Sequence, residues 1–143
     1  IGDYAFGLCV KLEDIAWVKN IVVIRAQAFN QAYREVPYST IPQLTIGGKM
    51  QRIEGGQNAA IGAFSYNDKD FEVVQFGTPE QPTELQYIEK GAFAFNTNYE
   101  IMEPYKIKKV VIYSSDPVVK ERFAQWIADG ILPCDKPEYS DPM

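Results

Sequence analysis

The chain has 143 residues, a formal net charge of −5 and no histidine; 46% of its residues are hydrophobic and 13% aromatic. One core satisfies a chain of this length, and no basic run exceeds the KIKK of residues 106–109, so the electrostatic footprint of a nucleic-acid or anionic-membrane binder is missing. The absent imidazole removes Ser-His-Asp triads, Cys-His dyads, histidine general bases and ordinary zinc sites.

The opening IGDYAFGLCV and the segment NIVVIRAQAF (20–29) both have strand character. Ile1 in place of Met, with no charged region and no apolar run behind it, fits a processed product or a fragment. The expected setting is therefore extracellular, cell-surface or virion. An extended N-terminal arm could add itself as a strand to a neighbour's sheet. Between the two strands stands Trp17, an aromatic suited to stacking or anchoring. In NQAYREVPYSTIPQ, Pro37 and Pro42 favour an edge or a long loop. Tyr33 and Tyr38 in this segment are the tyrosines hardest to bury, and they carry the most weight as binding residues.

IGGKMQRIEGGQNAAIG (46–62) raises the question of a phosphate cradle. A P-loop needs a hydroxyl after its lysine, and Met50 follows Lys49. Neither that spacing nor a dinucleotide fingerprint is present. The glycines read instead as turns. QLTI, Gly47-Gly48 and KMQRIE form an expected β-hairpin, and Gly55-Gly56 turns the chain again. FSYNDKDFEVVQF (64–76) reads as a second hairpin with a polar tip at Asn67–Asp70. Tyr66 lies beside that tip. Asp68 and Asp70 resemble a fragment of a calcium loop without its twelve-residue pattern; an exposed tip is the simpler account.

GTPEQPTE (77–84) is an acidic loop, and LQYIEKGAFAFNTNYEIM (85–102) alternates, with Leu85, Tyr87 and Phe93 among its odd-numbered apolar residues. Glu100 and Glu103 have the spacing of a carboxylate pair, although so many acidic residues produce such pairs by chance. YKIKKVVIYSS (105–115) is the expected last strand. Lys106 and Lys108 share a face with Val110 and Ile112, as at a strand end leaving the core. A helix follows at about 117–129. Asp116 is its N-cap, Pro117 its first residue and Gly130 its stop, with a stripe of Val119, Phe123, Trp126 and Ile127. Residues 133–143 read as an extended tail carrying Tyr139.

Cys9 and Cys134 either form a disulfide or stay as two thiols, and sequence alone selects neither. The chain shows no repeat of fixed period. These features predict a mainly β fold: an antiparallel β-sandwich or barrel-like fold with one C-terminal α-helix, as a single domain over 1–132 followed by the tail. The layout is similar to that of virion tube and appendage subunits, in layout alone. The expected function is a non-catalytic structural or assembly subunit with a protein partner, as a homo-oligomer or assembly. No cofactor, nucleic acid or membrane span is expected. A carbohydrate-binding module using exposed Tyr and Trp is the alternative, and a histidine-free glycosidase or lyase using Glu100 and Glu103 the third reading.

Overall fold

The computed structural model describes residues 1–2, 21–25, 28, 40–41, 43–55, 63–64, 70–95, 103–104, 107–134 and 137–141. Its strands are β1 (Val23–Ile24), β2 (Thr40–Ile41), β3 (Leu44–Ile46), β4 (Arg52–Ile53), β5 (Asp70–Phe76), β6 (Tyr87–Ile88), β7 (Ala94–Phe95), β8 (Glu103–Pro104), β9 (Ile107–Tyr113) and β10 (Pro137–Ser140), with helix α1 (Pro117–Ala128) between the last two.

The strand order overturns the antiparallel sandwich. One sheet runs β1-β4-β6 and a second runs β10-β9-β5-β2, with β3 also on β5. Among the described residues every pairing in both is parallel, and only the small β7–β8 pair is antiparallel. The fold is of the α/β type. Polar–apolar alternation tells which face of a strand is buried, and it is silent on the direction of the neighbour. The chain visits the two parallel sheets in turn, laying each strand beside that of the previous visit, and so winds as a coil. The first expected hairpin does not form, and most of the first arm and tip of the second lie outside the described residues. β3 pairs with β5, whereas β4 pairs with β1 and β6.

The glycines at the first expected hairpin remain turn residues, but they carry the chain from one sheet to the other. Met50 N–H donates to the Gly47 carbonyl at 3.1 Å. A Cβ on Gly48 would lie 2.6 Å from the Pro82 oxygen and would also strike the Gln81 carbonyl. Only a residue without a side chain lets the loop of the following coil pass this close.

The coil repeats one hydrogen bond three times. Arg25 N–H donates to Ile1 O at 3.0 Å, Glu54 N–H to Ile24 O at 2.9 Å, and Glu89 N–H to Ile53 O at 2.9 Å. Ile1, Ile24, Ile53 and Ile88 are therefore successive rungs of one stack. The last three are at most 1% exposed, and Ile1 packs against the same core. In the larger sheet the rows Leu44–Val74–Val110 and Ile46–Phe76–Ile112 pair directly, and all six residues are fully buried. Burying apolar area at about 25 cal/mol per Å² makes these rows the main stabilising term.

A repeat does exist, with an irregular length. Ile, three residues, Ala and Phe recur at 1–6, 24–29 and 88–93, and Ile53 precedes Ala63-Phe64 after an insertion. Ala28, Ala63 and Ala92 are all fully buried. Such a unit cannot bury its own apolar side; stacking on its neighbours does so.

The helix forms close to where its signals predict. Asp116 is extended and its Oδ1 accepts from Val118 N–H at 2.9 Å, and Gly130 has φ +74°. Val119, Phe123 and Trp126 are buried and Ile127 is half-buried. The Phe123 ring meets Phe76 and Trp126 edge-on, both at 4.9 Å. Arg122 Nη1 donates to Leu85 O at 3.2 Å, just before β6. Between β9 and β10, α1 stands where earlier passes contribute a strand to the smaller sheet. The expected last strand is not last: residues 137–140 of the tail add β10 to β9. Lys108 is exposed while Val110 and Ile112 are buried, and Lys106 lies outside the described residues.

Candidate functional site

Stacking sets side chains from successive coils in rows on the outer face of each sheet. On the smaller sheet one row is Val23–Arg52–Tyr87. Two residues further along each strand are Arg25, Glu54 and Glu89. Glu54 is only 8% exposed. Its Oε1 lies 2.9 Å from Arg52 Nη2 and 3.7 Å from Arg25 Nε. The neighbouring Glu89 Oε2 accepts the Gly55 N–H at 3.0 Å. These are structural pairings: Glu54 holds arginines and Glu89 holds backbone. Tyr87 stands 48% exposed, and Val22 is also exposed. The alternation of 85–102 groups Tyr87 with buried Leu85. The structure buries Ile88 instead and leaves Tyr87 on the outer face of β6.

On the larger sheet, Lys108 pairs with Glu72 at 3.1 Å and Lys109 with Glu138 at 2.9 Å. All four side chains are about half exposed, so each pair contributes less than about 1 kcal/mol. The second pair spans β9 and β10. Gln43 Nε2 donates to Thr45 Oγ1 at 3.0 Å, and Gln75 Nε2 to Gly77 O at 2.9 Å.

The edge at β10 has a different character. Ser114 N–H donates to Ser140 O at 3.1 Å. In a parallel ladder the N–H and C=O of one residue point to the same side and alternate along the strand. Glu138 and Ser140 therefore face β9, while Pro137 and Tyr139 turn their backbone groups away. Pro137 has no N–H to offer. Tyr139 offers both groups, and among the described residues no strand pairs with this side of β10. Its side chain pairs in register with Ile112 and prolongs the row Ile46–Phe76–Ile112, yet it is 37% exposed at the edge.

Burial, and secondarily the nearby Cys134, raises the Tyr139 phenol above its ordinary value of 10.0. A raised folded-state pKa leaves stability unchanged below the unfolded value and removes it as pH rises through the folded one. Urea midpoints should thus decline above about pH 10, and Tyr139→Phe should decline less over the same range. Parallel curves for the two proteins would contradict this.

Of the sequence-derived candidates, Tyr139 lies at this edge. Trp17, Tyr33, Tyr38, Tyr66, Asp68 and Cys9 lie outside the described residues, so neither the calcium pair nor the disulfide is seen. Asp70 begins β5 and Glu103 begins β8, while Glu100 is outside. Cys134 is half-buried. Tyr87 is a surface residue that the sequence does not single out, because the alternation groups it with Leu85 and Phe93, both of which are buried. Among the described residues no group of three or more His, Cys, Asp or Glu could hold a metal ion, and no helix is long and apolar enough to cross a membrane.

The fold and this edge together define a coil of stacked parallel strands with an open sheet margin. No protein-family model, no curated protein and no solved structure matches the chain.

Proposed function

We propose that this chain is a non-catalytic structural subunit that works by association with protein, foremost with copies of itself. The observation that supports this reading is the margin of the larger sheet, where Tyr139 turns an N–H and C=O away from β9, beside an exposed aromatic ring, and no described strand takes them up. Such margins recruit extended chains, because each added strand satisfies hydrogen bonds that water otherwise takes. We place strand addition at this edge; residues 3–10 of the N-terminal arm lie outside the described residues. The Ile1 amine donates to Val23 O at 2.6 Å and its carbonyl accepts from Arg25, so its backbone is engaged within the chain.

Static light scattering over a range of concentrations, with and without reductant, tests the reading. The expected result is a dimer or larger species in both conditions. A 16.2 kDa monomer at every concentration would overturn it, and assemblies that vanish on reduction would assign the association to thiols.

A further inference from the structure

Resting on the self-association reading, we infer that the second copy docks antiparallel along β10, with a two-fold axis passing through Tyr139. The two larger sheets then become one continuous sheet.

The margin has few groups to offer, and they limit how a second copy can sit. Two-fold dimers are the commonest assemblies, and their interfaces must be self-complementary. The outward backbone groups of β10 belong to Pro137 and Tyr139, because Ser140 O is already bound to Ser114 N–H. With the axis on Tyr139, the two tyrosines exchange N–H···O bonds as one hydrogen-bonded antiparallel pair. Glu138 then lies opposite Ser140 of the second copy, and Pro137 opposite Asp141. No like charges face each other, and the missing N–H of Pro137 removes only one bond at each end. An axis on Glu138 fares worse. It sets two Glu138 carboxylates opposite each other, which destabilises an antiparallel pair, and it pairs Tyr139 with the proline that cannot donate.

Side chains agree with the backbone. The buried row Ile46–Phe76–Ile112 ends on Tyr139, so a two-fold there brings two half-exposed rings side by side. Such an aromatic cross-strand pair is favourable and also covers apolar surface left open in the monomer. Glu138 is held by Lys109 at 2.9 Å within its own chain and remains compatible with a serine hydroxyl opposite. An interface of this length is short, which fits a concentration-dependent dimer.

Cysteine cross-linking reads the register directly. Paired Cα atoms in a hydrogen-bonded antiparallel pair lie about 5.5 Å apart, inside the roughly 4.4–6.8 Å window for a disulfide. In a background carrying Cys9→Ser and Cys134→Ser, Tyr139→Cys should form a covalent dimer under mild oxidation, and Ser140→Cys should not. A second variant removes the outward donor without touching the bonds to β9: Tyr139→Pro should shift the scattering mass to the monomer, because proline is tolerated at an edge position whose N–H faces solvent. Cross-linking through Ser140→Cys in place of Tyr139→Cys would overturn this register. Multimers of the unaltered chain that persist in Tyr139→Pro, with no cross-link from Tyr139→Cys, would overturn the docking and leave association itself standing. A monomeric unaltered chain would instead overturn the reading on which the docking rests.

Discussion

Gly55→Ala should lower the thermal midpoint by roughly 10 °C or more, among the largest losses any single methyl can cause in this chain. Gly55 is buried two residues after the Ile53 rung, and a Cβ there would strike the carbonyl oxygen of Lys90. It would also stand 2.7 Å from the Lys90 carbonyl carbon and 2.8 Å from the Glu89 oxygen. All three atoms are backbone of the next coil, which cannot swing aside as a side-chain end would. Nor can Gly55 retreat freely, since its N–H is held by Glu89 Oε2 at 3.0 Å. Overpacking of this kind costs about 3 kcal/mol or more, and each kcal/mol moves the midpoint of a domain this size by about 3–4 °C. Gly130 provides the control. It has φ +74° but open space around the missing Cβ, so Gly130→Ala should cost only about 1–2 kcal/mol of backbone strain. Equal midpoint losses for the two variants would show that contact between coils is not what fixes Gly55.

The contrast between these glycines also shows what a sequence can disclose. Gly130 was legible, together with Asp116 and Pro117, because helix ends are written in local chemistry: a side-chain oxygen for a free N–H, a ring that needs no N–H, a residue that accepts positive φ. Strands were legible too, β1 within NIVVIRAQAF among them. β3, β5 and β9 fall within stretches rich in β-branched and large apolar residues, QLTI, DFEVVQF and KIKKVVIY. What those stretches could not reveal was their partners. Gly47-Gly48 suits a hairpin, and that the chain there crosses to another sheet is visible only in the distant partners, β5 for β3 and β1 and β6 for β4. The repeat is hidden for a related reason. The intervals between Ile1, Ile24, Ile53 and Ile88 lengthen along the chain, so a search for a constant period fails; the Ala-Phe pairs at 28–29, 63–64 and 92–93 are the usable signal. Of the candidate site, Tyr139 was legible as an aromatic in an extended tail. Its place beside Ile112 was not, since the register that makes it an edge residue arises only after α1 has returned the chain to the sheet.

Phe123→Ala should cost about 3–5 kcal/mol, as large as core deletions of an aromatic usually are. The ring is fully buried, and both of its edge-on neighbours, Phe76 and Trp126, lose their packing when it is removed. A helix of 12 residues is marginal in water without such contacts. Truncating Phe123 therefore releases the whole element rather than leaving a local void. The consequence should travel in one direction. α1 joins β9 to β10, so amide exchange should accelerate in α1 and β10 together, while β5, flanked by β3 and β9, keeps its protection. Phe123→Leu refills most of the volume and should recover all but about 1.5 kcal/mol. Val118→Ala, on the exposed side of the same helix at 55% accessibility, should change stability by less than about 0.5 kcal/mol. Urea melts of the three variants with residue-resolved exchange would decide the point. A Phe123→Ala protein no less stable than Val118→Ala, or one whose β5 amides open before those of β10, would mean that α1 does not secure the margin on which association is proposed to depend.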